Sequence, residues 1–385
     1  MLRRDYASFD YLLMLAMIAL IIFGLVMIGS ATRINVFEES ARFNRQLIFA
    51  VLGMILFLAA AFIDYHFIAR FYVMIYVVCI VLLVAALIQG YFINPHLPVY
   101  RWIFFGTEEM NIGIQPSEFA KIFMIIFLAK VIDRLGAAIN DFRILLFIGL
   151  SIFLPFVLIT VQPSLSAAGI VLLISLAVLF VGNVGGKYVL IAFVVFAPIV
   201  AFMTYDIGRE SPLLIHHILE DYQIDRIETL LNPEAATADA RFQIERSIAA
   251  IGSGQLMGKG LYQGTITQAA RLPEAETDFI MSIIGEEFGF VGLMAVLLLI
   301  LFIVGRCLVI AFNAPDMLGR LIVAGVAMKL AFQAFINVGV VTEILPTTGV
   351  PFPFLSYGGS SLWVCMIAVG LAINVKMSKS KSMFE

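Results

Sequence analysis

Long apolar runs separated by short polar segments make up most of this chain. Ten of them lie near 11–31, 46–63, 71–90, 119–132, 144–161, 165–182, 188–205, 279–304, 318–341 and 357–375. About 20 apolar residues, rising 1.5 Å each as helix, cross a bilayer core of about 30 Å. The fourth and sixth runs are short, and by length alone either suits a re-entrant segment. The pattern predicts an all-α polytopic membrane protein of about ten transmembrane helices in a single membrane domain over residues 1–385.

Charge placement sets the orientation, because short cytoplasmic loops collect Lys and Arg. With both termini cytoplasmic, the inner segments hold Arg3, Arg4, Arg70, Arg134, Arg143, Lys187, Arg306, Arg320, Lys376, Lys379 and Lys381. Arg33, Arg42 and Arg45 in the first outer loop break this pattern. Two outer segments are long, 91–117 and a large extracellular loop of about 206–277 between spans 7 and 8. Within the second, Phe242–Ile251 alternates apolar and polar residues, as a segment lying on the membrane surface would.

Composition agrees: 62% of residues are hydrophobic and 13% charged. The net charge of −3 is too small to suggest a nucleic-acid partner. Cys79, Cys307 and Cys365 fall inside apolar runs with no metal-ligand spacing and read as buried apolar residues. The first apolar run is too long for the core of a cleaved signal. His216-His217, adjacent in the outer loop, reads as surface.

Ionisable residues near spans are costly and are candidates for function. Three groups stand out, all assigned to the outer face. In Gln115-Pro-Ser-Glu-Phe-Ala-Lys121, Ser117 suits a helix N-cap, and Glu118 and Lys121 share a helix face. A capped helix start with an ion pair explains this group as well as a site does. In the second group, Thr277 suits an N-cap with Asp278 in the first turn, and Glu286 and Glu287 lie deeper. Capping and interhelical hydrogen bonding are the structural alternatives. The third, Pro346 through Ser361, has too many prolines and glycines for continuous helix. It reads as a cavity-lining re-entrant loop whose amides and hydroxyls could hold phosphate or sugar oxygens, or as a tight turn.

Together these motifs resemble the SEDS family of bacterial cell-wall glycosyltransferases (RodA, FtsW and the sporulation homologue SpoVE). The match takes in Arg101-Trp102-Ile, Gln115 through Lys121, Arg226-Ile through Pro233, Ala250 through Gly254, Gly258-Lys-Gly260, Leu272-Pro-Glu274, Thr277 through Ile280, Gly285-Glu-Glu287, Gln333, Asn337 and Pro346 through Ser361. The resemblance implies polymerisation of lipid II on the outer face, alongside a class B penicillin-binding protein. It implies that Asp278 is the catalytic carboxylate. Glu118, Lys121, Arg101, Ser356, Gly358, Gly359 and Ser360 would line the substrate cavity. A divalent cation, Mg or Mn, could assist, although no ligand set is visible. One position departs: the family commonly has Asp where Gln162-Pro-Ser164 places Ser164. Glu276 stands where many members have His. The short tails lean towards the elongation (RodA) type; division or sporulation paralogues and a lipid II flippase are the alternatives.

Overall fold

The computed structural model describes residues 3–32, 36–93, 101–105, 112–162, 164–185, 238–269, 275–346 and 349–379. Its helices are α1 (Tyr11–Thr32), α2 (Val36–Phe62), α3 (Tyr65–Arg70), α4 (Tyr72–Ile88), α5 (Pro116–Leu135), α6 (Phe142–Val161), α7 (Leu165–Val181), α8 (Ala238–Ser253), α9 (Ile266–Ala269), α10 (Ile280–Phe312), α11 (Met317–Val341) and α12 (Gly359–Met377). Among the described residues, seven helices are long and apolar enough to cross a membrane, and α7 is a shorter apolar one. α5 is also 20 residues long, but Glu118, Lys121, Lys130, Asp133 and Arg134 interrupt its apolar run. The seventh apolar run, 188–205, lies outside the described residues, as do 206–237 with His216-His217 and the Arg226–Pro233 motif.

Burial ranks the helices. The apolar window of α12 is 83% buried and that of α11 is 67% buried, against 22% for α4 and 28% for α6. α11 and α12 therefore form the centre, and polar side chains on them face protein. Between apolar helices in lipid, association comes from close contact and hydrogen bonds. Small residues supply the contact between α2 and α12: a Cβ on Gly370 would stand 2.6 Å from the Phe57 carbonyl oxygen. Asn374 of α12 adds the hydrogen bonds, donating to Ala60 O at 2.7 Å and to Ile63 O.

One end of the bundle is basic. β1 (Arg3–Arg4) pairs antiparallel with β4 (Ser378–Lys379) there. The buried Asp10 carboxylate takes Arg306 at 2.6 Å and Lys376 at 2.8 Å. Asp316 N-caps α11 at the same end and binds Tyr65 and His66 of α3. At the opposite end, β2 (Ile103–Phe105) and β3 (Ile112–Ile114) make a short antiparallel pair in the 91–117 segment.

α8 covers the amphipathic stretch, but its inner face packs on protein. Ile244, Ser247 and Ala250 are buried, and Ser247 bonds Ser282 of α10 at 2.7 Å and Val341 O of α11 at 3.0 Å. The sequence showed the stripe without showing what would cover it.

Candidate functional site

The centre of the site is a polar stripe on α11. Lys329, Gln333 and Asn337 recur every four residues, share one helix face, and are at most 1% exposed. Asn337 Nδ2 donates to Asp278 O at 2.8 Å and to Val350 O at 2.7 Å. Gln333 Nε2 donates to Pro351 O at 2.8 Å and to Ser361 Oγ at 3.2 Å. Lys329 Nζ donates to Cys365 Sγ at 2.8 Å.

Asp278 is half-buried and sits just before α10. The sequence expectation of a Thr277 N-cap is corrected here: the cap residue is Phe279, and it makes no side-chain cap bond. Asp278 is therefore held in a turn rather than in a helix, and its neighbours fix that turn. Tyr357 N donates to Glu276 O at 2.8 Å, and the Glu276 carboxylate pairs with Arg42 of α2. Arg42, which violated the inside-positive pattern, thus fixes the segment that carries the candidate base.

The loop after α11 is densely bonded. Its own Val350, Phe352, Phe354 and Leu355 are buried. Ser356 Oγ accepts from Phe352 N at 2.7 Å, Gly358 N donates to Gln46 Oε1 at 3.1 Å, and Ser360 Oγ accepts from Gln115 N at 2.9 Å. The Gly358 amide is thus occupied, whereas the two serine hydroxyls act as acceptors in these bonds and keep their hydrogens for another partner. Beside Gly358 and Gly359 lies a cleft of about 180 Å³ walled by Arg45, Phe49, Trp102, Phe104 and Tyr357.

The last Gln115 contact joins the start of α12 to the start of α5. Here Gln115 is the cap residue and Pro116 opens the helix, so Ser117 is not the N-cap expected from the sequence. Proline favours this position because its ring presets φ and the first-turn amide it lacks needs no helix partner. Ser117 Oγ is buried without a hydrogen-bond partner. Lys121 Nζ meets Glu118 Oε1 at 2.6 Å, with both side chains at most 3% exposed. Arg101 stands against the α6–α7 turn, its Nε donating to Gln162 O at 3.4 Å.

Glu286 and Glu287 are structural. The Glu286 carboxylate accepts from Thr265 N, Ile266 N and Thr267 N at 2.7–2.8 Å and pairs with Lys259 at 2.6 Å. Glu287 takes the Ser30 hydroxyl of α1. Between them and the lower helix, Gly289 at φ 64° breaks α10. A Cβ there would stand 2.4 Å from Gly258 N. The two helix bonds lost at the break are remade through the loop: Glu286 O and Glu287 O accept from Lys259 N and Gly260 N, while Phe290 N and Val291 N donate to Gln255 O and Leu256 O.

Hydrogen bonds therefore connect Asp278, the 349–358 loop and the start of α12 to the α11 stripe and the start of α5, where Glu118 and Lys121 pair. The residue that sequence reasoning missed is Lys329. Its signal was available, since a lysine at the middle of an apolar run is costly and must face protein or water.

The family of cell cycle proteins comprising FtsW, RodA and SpoVE matches residues 10–381. The chain belongs to this FtsW/RodA/SpoVE family. Stage V sporulation protein E of Bacillus subtilis (strain 168) is 36% identical over 371 residues, covering 95% of this chain and 96% of that protein. Peptidoglycan glycosyltransferase MrdB of Escherichia coli (strain K12) is 32% identical, covering 96% and 94%. A chain from a peptidoglycan synthase complex, solved for the structural coordination of polymerization and crosslinking, superposes with a TM-score of 0.78 at 26% identity, covering 96% and 98%. The rod shape determining protein RodA of Thermus thermophilus shares the fold with a TM-score of 0.68 at 24% identity, covering 96% and 97%.

As a member of the FtsW/RodA/SpoVE family with many apolar helices, the chain is a multi-pass protein of the bacterial cytoplasmic membrane. Ser164, where the family resemblance leads one to expect Asp, is 5% exposed at the start of α7 and makes no side-chain cap bond. Among the described residues no three His, Cys, Asp or Glu side chains converge as metal ligands would. No catalytic step is assigned to a divalent cation.

Proposed function

We propose that this chain polymerises lipid II into glycan strands at the outer face of the membrane, as the glycosyltransferase half of a pair with a class B penicillin-binding protein. The reaction class is supported by the names of its relatives. The partner is supported by the likeness to a chain of a synthase complex that couples polymerization to crosslinking. The observation that carries the mechanism is the mounting of Asp278, half-buried at the mouth of α10 and fixed through its own carbonyl by Asn337.

A sugar hydroxyl attacks poorly until a base takes its proton, and a fixed carboxylate within hydrogen-bond reach can do so. In this reading Asp278 takes the proton of the acceptor 4-hydroxyl as its oxygen bonds to the donor C1. The bond from C1 to the diphosphate oxygen breaks, and the prenyl diphosphate leaves with the electron pair. Lys121 faces the developing negative charge, and Glu118 holds Lys121 in place. Ser356 and Ser360 donate their hydroxyl hydrogens to sugar or phosphate oxygens. Asp278, Ser356 and Ser360 cluster at the end away from Arg306 and Lys376, as an enzyme with an outer pocket requires and a flippase does not.

The deciding experiment is polymerisation of lipid II by the purified protein with and without its penicillin-binding partner. Glycan strands from the pair support the reading, and lipid II translocation without strand formation overturns it. The relatives include a sporulation protein and MrdB alike; among these branches we propose elongation. Depletion that rounds a rod-shaped host supports that placement; filamentation or a failure confined to spores overturns it.

A further inference from the structure

Lys329 stands at the midpoint of α11, twelve residues from Met317 and twelve from Val341. That is about 18 Å of helix from either end. It is 0% exposed, and its hydrogen-bond partner is a thiol, Cys365 Sγ. A thiol is a weak acceptor and, while protonated, carries no charge to balance an ammonium. Lys121 is 1% exposed and lies within electrostatic reach of Lys329.

Among the described residues, the bonded charges here do not cancel: two lysines meet one bonded carboxylate, Glu118, which is spent on Lys121. α5 and α12 both begin beside the cluster, joined by the bond from Gln115 N to Ser360 Oγ. Each helix start adds partial positive charge. A surplus cation in a buried, low-dielectric setting is strongly unfavourable unless an anion joins it. Polar atoms around the cluster are also unsatisfied: Ser117 Oγ, Glu118 Oε2 and Gln333 Oε1 are buried without hydrogen-bond partners.

We propose that Lys329 is the second cation of a buried anion seat, shared with Lys121, that takes the diphosphate group of a lipid-linked substrate. This rests on the glycosyltransferase reading and adds a residue to its donor site. The order along α11 suits such a molecule. Asn337 holds the candidate base at the outer end, Gln333 follows one turn deeper, and Lys329 lies eight residues, or about 12 Å, below Asn337. A lipid-linked sugar descends in the same order, from reacting carbon to diphosphate to prenyl chain. Ser117 Oγ can donate to a phosphate oxygen, and Gln333 Oε1 can accept from a sugar hydroxyl. Both lysines are enclosed, so entry requires α5 and α12 to part at their starts.

The test uses the full-length protein in detergent, with Lys329→Met and Lys329→Gln. Thermal unfolding is followed with farnesyl diphosphate, farnesyl monophosphate and inorganic pyrophosphate, and the KM for lipid II is measured alongside. Farnesyl diphosphate raises the Tm of the wild-type protein. Without ligand, Lys329→Met unfolds at or above the wild-type temperature, because a surplus buried charge is gone. Both variants bind farnesyl diphosphate about tenfold or more weakly, as expected for the loss of a charge-assisted hydrogen bond, and the KM for lipid II rises in proportion. A variant that unfolds at lower temperature yet binds farnesyl diphosphate as the wild type does makes Lys329 a packing partner of Cys365 and overturns the proposal. Equal binding of inorganic pyrophosphate assigns the seat to a soluble anion and overturns its lipid identity. A wild-type protein that polymerises lipid II but takes no farnesyl diphosphate overturns the seat while the glycosyltransferase reading stands. One that binds the diphosphate through Lys329 yet never polymerises, even with its partner, overturns the glycosyltransferase reading and keeps the seat.

Discussion

Asn337 Nδ2 bridges two carbonyls, that of Asp278 at 2.8 Å and that of Val350 at 2.7 Å, and so ties the start of α10 to the loop that follows α11. Asn337→Ala removes both bonds and is expected to cost about 1–3 kcal/mol of stability together with polymerisation rate. Asn337→Asp is expected to do worse, since a carboxylate faces two carbonyl oxygens with no hydrogen to offer. Thermal unfolding and strand synthesis should rank Asn above Ala and Ala above Asp. An aspartate variant as active as the wild type would deny the clamp a role.

Asp278→Asn keeps the shape of the side chain and the backbone carbonyl that Asn337 binds, and removes the base. Polymerisation should fall by about 10²–10⁴ while the unfolding temperature stays within a few degrees of wild type. Wild-type rates in a folded Asp278→Asn protein would leave Asp278 without the catalytic role assigned to it.

The Glu118–Lys121 pair is buried, so its partners cannot be removed one at a time without cost. Lys121→Met strands a buried carboxylate and should destabilise the protein by about 3–5 kcal/mol, and Glu118→Gln should also be harmful. The double variant Glu118→Gln/Lys121→Met should recover most of the stability and none of the activity. Recovery of polymerisation by the double variant would confine the pair to holding α5 together.

At the basic end, His66 Nε2 lies 2.5 Å from Asp316 Oδ2, and Nδ1 lies 3.1 Å from Asp64 Oδ1. Only the imidazolium can donate at both nitrogens. The bond to Asp316 holds the His66 pKa above its ordinary value, against partial burial. For Asp316, burial acts to raise the carboxyl, but bonds from His66, Gly319 N and Tyr65 outweigh it and hold the pKa below the ordinary value. The stability contributed by His66 is present in full below its unfolded pKa of about 6.5 and is lost as pH rises through the raised folded value. The Asp316 contribution is lost only as pH falls through its depressed value. The gap in Tm between wild type and His66→Gln should therefore narrow as pH rises from about 6 to about 9. A gap that widens across that range would contradict the assignment.

The apolar helices were legible because lipid demands continuous runs, and nine of the ten runs fall on helices within the described residues. Helix starts were less so. Ser117 and Thr277 look like caps, but Pro116 opens α5 one residue earlier and α10 begins three residues after Thr277. Local side-chain preference loses there to proline geometry and to the turn held by Asn337 and Tyr357. The task of Glu286 was hidden for a different reason. Three of its partners are backbone amides, and an amide's need for an acceptor leaves no mark in the sequence. Lys329 is hidden because one lysine leaves the run around it long and apolar enough to span a membrane.

A helix interrupted at one residue is ordinarily a free joint. At Gly289 the joint is bolted, because residues 255–260 bond the carbonyls on one side of the break and the amides on the other. The angle between the two pieces of α10 is thus set by a loop lying across them. Moving that loop would tilt residues 280–288 against the rest of α10, and would turn Asp278 with them.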